Sequence, residues 1–142
     1  MIKILNSEDD TAKFAESIYS RLKGGEIIGL IGPLGAGKTA FVRYLAQNAG
    51  VPAEQVSSPS FVLSYEYHGK DFTITHWDIY RLNEEPEELW EPPEKNEIRI
   101  IEWVDKSDSL LESADILIEL DFVDLKSQPQ ARRVTIKERG IA

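Results

Sequence analysis

The chain of 142 residues is long enough for one domain with its own hydrophobic core, and 42% of its residues are hydrophobic and 29% charged. Its apolar runs are much shorter than the roughly 18 residues that span a bilayer, and the absence of cysteine excludes disulfides and thiolate metal sites. We therefore expect a single cytoplasmic domain over residues 1–142, with no membrane association.

The net charge of −9 limits the expected binding partners. Nucleic-acid binding depends on Lys and Arg side chains that neutralise phosphates, so independent binding of tRNA or DNA is disfavoured. A protein partner with a basic face would be attracted by this charge, although solubility alone also accounts for it.

The first third of the chain has the pattern helix, strand, helix. Ser7 followed by Asp10 is typical of a helix N-terminus, and apolar residues then recur at helical spacing until Gly24. The apolar run EIIGLI at 26–31 predicts a buried central strand. A second helix is predicted over 38–50, where Gly50 ends it.

The remainder of the chain is dominated by strands. Alternating residues on both sides of a short turn predict a β-hairpin over about 61–78. The segment 83–97, with seven Glu and three Pro, is typical of an exposed loop with at most one helical turn. Three further strands are predicted at 98–103, 114–120 and 132–137. We therefore predict an α/β fold, a three-layer sandwich with a mixed, mainly parallel central sheet.

The segment Gly32-Pro33-Leu34-Gly35-Ala36-Gly37-Lys38-Thr39 satisfies the phosphate-loop motif GxxxxGK(S/T) in full. Glycines allow successive backbone N–H groups to surround a phosphate, and the following helix adds the positive end of its dipole. The Lys38 ammonium can reach the β- and γ-phosphates, and the Thr39 hydroxyl can coordinate Mg²⁺. The sequence therefore predicts binding of a nucleoside triphosphate with Mg²⁺.

Three downstream segments supply the polar groups that hydrolysis also needs. SSPSF (57–61) contains Ser60, HWDIYR (76–81) contains Asp78, and IIEWVD (100–105) contains Glu102 at the end of a predicted strand. Carboxyl ends of strands border the ligand crevice of open α/β sheets. Simpler interpretations remain open: Ser60 satisfies backbone groups in a turn, Asp78 caps a turn or pairs with Arg81, and Glu102 is a solvated residue. The two histidines show no metal-ligand spacing, and no catalytic role is assigned to them.

The order GPLGAGKT, SSPSF, HWDIYRL and IIEW resembles the TsaE (YjeE) family, whose usual pattern is GDLGAGKT, SPTF, HFDLYRL and a strand ending in EW. The resemblance spans nearly the whole chain. It implies a small P-loop ATPase required for threonylcarbamoyladenosine in bacterial tRNA. Such a protein acts on TsaD, the transferase, and on TsaB, and it contacts tRNA only indirectly.

The resemblance also implies roles for individual residues, with ATP and Mg²⁺ as cofactors. The expected catalytic residues are Lys38, Asp78 and Glu102, and the expected magnesium ligands are Thr39 and Glu102. Nucleotide contacts are expected from Thr11, Leu34, Gly35, Ala36, Gly37, Lys38, Thr39, Ala40, Ser60 and Trp103.

Three features depart from the family pattern. Pro33 replaces an acidic residue, Ser60 replaces a threonine, and the acidic segment 83–97 is shorter than its usual counterpart. Two other functions are compatible with a phosphate loop. Asp105-Lys106-Ser107-Asp108 is one residue away from the N-K-x-D pattern of guanine-nucleotide switches, and a small-molecule kinase would need an arginine-bearing lid that 82–98 lacks. A purely structural or adaptor protein is a third class, which would have little need for a complete phosphate loop, and a sensor that only binds ATP also remains open.

Overall fold

The computed structural model describes residues 1–56 and 64–139. A seven-stranded mixed sheet forms its centre, in the strand order β1-β7-β6-β2-β5-β4-β3. The strands are β1 (Ile2–Leu5), β2 (Ile27–Ile31), β3 (Ser64–His68), β4 (Thr73–Asp78), β5 (Glu97–Glu102), β6 (Ile116–Asp124) and β7 (Gln128–Glu138). The helices are α1 (Glu8–Tyr19), α2 (Lys38–Asn48) and α3 (Asp108–Ser113), with single 3₁₀ turns at Ala53–Gln55, Glu87–Trp90 and Val104–Lys106.

The four central strands, β6, β2, β5 and β4, run parallel, whereas β1, β7 and β3 are added antiparallel at the two edges. The predicted mixed sheet with a parallel centre is therefore confirmed. The predicted hairpin is formed by β3 and β4, and its first three residues, 61–63, lie outside the described residues.

Alternating side chains divide the core into two layers, one on each face of the sheet. On one face, α1 and α2 cover β2 and β5, and the rings of Phe14 and Phe41 lie 5.5 Å apart between the two helices. On the other face, Ile27 and Ile101 pack against Val104 and Leu110, which belong to the short helical segments after β5. Because β2 is covered on both sides, it is almost continuously apolar, as expected for a central parallel strand.

The N-terminus of α1 and the C-terminus of α2 have the capping residues that the sequence predicts. Ser7 caps α1, since its hydroxyl accepts the N–H of Asp10 (3.2 Å), and the Asp10 carboxylate accepts the N–H of Asn6 (2.9 Å). The helix ends at Tyr19, earlier than the glycine pair suggested. Gly50 adopts φ 93° directly after the cap of α2, which is the left-handed stop that the sequence predicts.

Two elements were not predicted from the sequence, β1 and α3. The edge strand β1 exposes three of its four residues, so its sequence has little of the alternation that predicts a strand. Its pairing partner β7 lies more than 120 residues later in the chain. Helix α3 has six residues and is capped by Ser107, whose hydroxyl accepts the N–H of Leu110 (3.2 Å). None of the helices among residues 1–56 and 64–139 is long and apolar enough to cross a membrane.

Candidate nucleotide site

The phosphate loop connects the end of β2 to the start of α2. Gly32 has φ 151°, and a Cβ at this position would collide with the Leu120 carbonyl oxygen, so the close approach of β6 requires glycine. Gly37 is the N-cap of α2 at φ 105°, and no side chain caps this end of the helix. Backbone N–H groups of the first turn are therefore available to an anion, and the helix dipole favours one there.

Lys38 lies buried at the start of α2. Its Nζ donates to the carbonyl oxygens of Gly32 and Pro33 (3.1 Å to Pro33) and lies 4.1 Å from the centroid of the Trp103 ring. Burial lowers the pKa of Lys38, and the negative charges of Glu102, Asp78 and Asp105 oppose this effect. The attraction of these three carboxylates therefore does not cancel the desolvation cost of burying the ammonium group.

Two of these carboxylates are adjacent because of sheet register. In the parallel pair β4–β5, Asp78 lies opposite Glu102, and Leu30 at the end of β2 lies opposite Glu102 on the other side. The strand ends and the phosphate loop enclose a cavity of about 110 Å³. It is lined by Leu34, Gly35, Gly37, Lys38, Thr39, Asp78, Glu102 and Trp103.

Trp103 follows directly after Glu102 and has an unusual backbone. Its φ of 63° and ψ of 33° make it the one non-glycine residue with positive φ in the described part of the chain. Such conformations cost energy in a bulky residue and often occur at functional sites. The turn is held by its N–H, which donates to Leu30 O (3.0 Å), and its ring packs 4.6 Å from that of Tyr80. The indole consequently covers Lys38 at one wall of the cavity.

The structure brings together most of the residues that the sequence indicated. All eight residues that line the cavity were predicted, and Ala36 and Ala40 lie in the same loop and the first turn of α2. Thr11 lies in the first turn of α1, where its hydroxyl donates to Ser7 O (3.3 Å), and it does not line this cavity. Ser60 lies outside the described residues. The simpler interpretation of Asp78 also holds in part, since its Oδ1 accepts the N–H of Tyr80 (2.8 Å).

Two side chains near the site were not predicted from the sequence. His76 is fully buried and lies 2.5 Å from a carboxylate oxygen of Glu102 through its Nε2. Arg132, on β7, donates to the phosphate-loop carbonyl oxygens of Ala36 (3.1 Å) and Gly35 (3.4 Å). The HxD spacing of β4 places His76 and Asp78 on one face, but partners on other strands require knowledge of the register.

The donor set fits a magnesium ion that arrives with a nucleotide. Among residues 1–56 and 64–139, no three or more His, Asp or Glu side chains gather into a group that would hold a metal by themselves. Thr39 and Glu102 instead face one cavity with the phosphate loop. Mg²⁺ in proteins is usually bound by one or two protein ligands together with substrate phosphates, so this pair is sufficient.

A protein-family model described as threonylcarbamoyl adenosine biosynthesis protein TsaE matches residues 5–134, which include the loop and all the strand ends just described. The chain belongs to the TsaE family. A tRNA threonylcarbamoyladenosine biosynthesis protein TsaE from Aquifex aeolicus is 38% identical over 122 residues, which are 85% of this chain and 86% of the relative. The Haemophilus influenzae protein of the same name is 36% identical over 118 residues, covering 79% and 73% of the two chains.

A solved structure has the same fold as this TsaE-family chain. The crystal structure of Bacillus subtilis YdiB covers 99% of this chain and 86% of its own, with a TM-score of 0.70 at 22% identity. The aligned region takes in nearly the whole of this chain. It supports the α/β architecture that the alternation of strands and helices predicts.

Proposed function

We propose that this chain is a Mg²⁺-dependent ATPase that acts in the threonylcarbamoyladenosine modification of tRNA. One observation supports this most directly. A complete phosphate loop, Thr39, Asp78 and Glu102 meet around one cavity in a chain that matches the TsaE model over residues 5–134. A binding module without hydrolysis would have little need for the two carboxylates opposite the loop.

The residues of the cavity divide the chemistry among them. Loop N–H groups and the N-terminus of α2 bind the phosphates, and Lys38 leaves its two carbonyl partners to donate to the β- and γ-oxygens. Thr39 and Glu102 would hold Mg²⁺, which would neutralise charge on the β- and γ-phosphates. Asp78 orients the water that attacks the γ-phosphorus while the bond to the bridging oxygen breaks. Trp103 encloses this region and limits access of bulk water.

The proposed role in the pathway is indirect. The chain acts in the cytoplasm, as a single P-loop ATPase domain, on a complex of TsaD and TsaB, and it does not transfer the threonylcarbamoyl group itself. Its net charge of −9 favours a protein partner over direct binding of tRNA. ATP hydrolysis is expected to be slow in the chain alone and faster with these partners.

A guanine-nucleotide switch is less well supported. In such a protein, residues of the N-K-x-D type contact the base. Here the negative charge of Asp105, with those of Glu102 and Asp78, opposes the lowering of the Lys38 pKa by burial. Lys106 donates to the Tyr80 carbonyl oxygen and lies 4.8 Å from the centroid of the Tyr80 ring. Asp105 also lacks the side-chain amide that the asparagine of an N-K-x-D pattern supplies.

The nucleotide assignment is tested by calorimetric titration of the purified chain with ATP and GTP in the presence of Mg²⁺. We expect ATP to bind more tightly than GTP, and Lys38→Ala to weaken binding of the triphosphate because its ammonium contacts the γ-phosphate. Lys23→Ala, which changes a solvated lysine, serves as the control. Preference for GTP, or full hydrolysis by Lys38→Ala, would contradict the proposal.

A further inference from the structure

His76 lies directly beneath the two carboxylates of the site. It precedes Asp78 by two residues on β4, so both side chains project from the same face of the sheet. In the register of the parallel pair, His76 lies opposite Ile100 and Asp78 lies opposite Glu102. The imidazole ring therefore lies one step below the cavity, on the side covered by α1 and α2.

The contacts of His76 form a short chain of hydrogen bonds that ends at Glu102. Its Nε2–H donates to Oε2 of the Glu102 carboxylate at 2.5 Å, and both side chains are buried. Its Nδ1 lies 3.2 Å from the hydroxyl oxygen of Tyr67, which is buried on the neighbouring strand β3. In the neutral ring, Nδ1 accepts a hydrogen bond from the Tyr67 hydroxyl, and Nε2–H donates a hydrogen bond to Glu102. Both ring nitrogens are therefore engaged, which fixes the orientation of the imidazole.

This arrangement determines which oxygen of Glu102 remains for a ligand. Oε2 is occupied by His76, and no hydrogen bond from the described residues 1–56 and 64–139 reaches Oε1. A buried carboxylate is costly unless a donor satisfies it, and His76, which does not line the cavity, supplies that donor. Glu102 is thus satisfied and held in one orientation without blocking the side on which Thr39 lies.

We propose that His76, itself oriented by Tyr67, is a positioning residue that holds the Glu102 carboxylate in place to bind the Mg²⁺ of the Mg²⁺–nucleotide complex. The proposal rests on the function proposed above. Groups that orient metal ligands commonly change metal affinity or activity by about 10- to 100-fold when they are removed. An effect of that size is expected here on magnesium dependence rather than on nucleotide binding itself.

The first test measures the affinity for ADP at a series of Mg²⁺ concentrations, and in EDTA, by calorimetry. His76→Leu removes the donor to Glu102. We expect the Mg²⁺ concentration that gives half of the maximal increase in ADP affinity to rise about 10- to 100-fold, while the affinity for ADP in EDTA stays the same. His76→Gln retains an N–H donor and is expected to lie closer to the native protein than to His76→Leu. His68→Gln, at the exposed histidine of β3, is the matched control and should change nothing.

A second measurement keeps the proposal testable if His76→Leu does not fold. Tyr67→Phe removes one hydroxyl and is expected to raise the Mg²⁺ requirement in the same direction. Long-range ¹H–¹⁵N NMR spectra detect the imidazole rings of the two histidines, and His68→Gln removes one set of signals so that the other is assigned to His76. The buried His76 N–H should shift when Mg²⁺ and ADP are added together, and remain unchanged with ADP alone.

The results separate this inference from the function on which it rests. If the native chain shows no Mg²⁺-dependent nucleotide binding, the proposed function fails. The positioning role is wrong if the native chain shows Mg²⁺-dependent nucleotide binding while Tyr67→Phe and the folded His76 variants keep the native Mg²⁺ dependence. It is also wrong if the His76 N–H signal does not respond to Mg²⁺.

Discussion

Lys38 illustrates how a single residue balances stability against function. Its ammonium group is buried, and the lowered pKa shows that desolvation outweighs the attraction of the surrounding carboxylates. Its hydrogen bonds to Gly32 O and Pro33 O and the face of Trp103 recover part of this cost. The charged form of Lys38 is therefore less favourable here than in water, and the proposed phosphate binding accounts for a positive charge at this place.

This balance predicts that Lys38→Met stabilises the fold while it impairs function. Methionine fills a similar volume without a charge, and replacing a buried ion by an apolar group is often stabilising, here by about 1 kcal/mol. Urea denaturation at neutral pH, without nucleotide, measures the unfolding free energy. The control is Lys23→Met, at an exposed lysine, which should leave the unfolding free energy nearly unchanged. If Lys38→Met were less stable than the native chain, the contacts of the ammonium group would stabilise the fold by more than its desolvation destabilises it.

At the scale of elements, the acidic segment 83–97 is anchored at both ends. Near its start, the Glu85 carboxylate accepts from the hydroxyls of Ser107 and Ser109, and these bonds hold the pKa of Glu85 below its usual value. Near its end, Arg99 donates to Glu91 O (2.6 Å) and pairs with Glu97 (3.1 Å). A segment that composition describes as an exposed loop is therefore tied to α3 and to β5.

The second anchor predicts a pH-dependent contribution to stability. Burial raises the pKa of Glu97, but hydrogen bonds from Thr75, Glu94 N–H and Arg99 outweigh it, so its pKa lies below the usual value. The charged form therefore stabilises the fold above the unfolded-state pKa near 4.3, and this stability is lost as pH falls through the lowered pKa. Glu97→Gln should reduce the unfolding free energy by about 2 kcal/mol at pH 7.

The measurement is urea denaturation of the native chain and Glu97→Gln from pH 7 down to pH 3. The difference between them should narrow below the unfolded-state pKa, because Glu97 is protonated first in the unfolded chain, and the loss is complete once the native carboxylate is protonated as well. Glu94→Gln makes the same chemical change at an exposed side chain and keeps the backbone hydrogen bonds between residues 94 and 97, so it should have little effect. A difference that stays constant with pH would contradict this explanation.

At the scale of the whole molecule, local signals predicted the site better than they predicted its surroundings. The loop at 32–39 is recognisable because β2, the glycines and α2 are consecutive, and Asp78 and Glu102 stand out at strand ends. Contacts between distant segments were not predictable. His76 and Glu102 are 26 residues apart and meet through the register of β4 and β5, and Arg132 reaches the loop from β7 across 96 residues. The short edge strand β1 depends on a partner at the opposite end of the chain.

We propose that the whole molecule works as an ATPase controlled by its partners. The direct measurement is the rate of ATP hydrolysis by the purified chain, alone and with TsaB and TsaD from the same organism, with Lys38→Ala as the control. We predict strong stimulation by TsaB and TsaD together that is lost in Lys38→Ala. An unchanged rate in their presence, while ATP binding remains intact, would contradict the claim and leave a nucleotide-binding protein without this role.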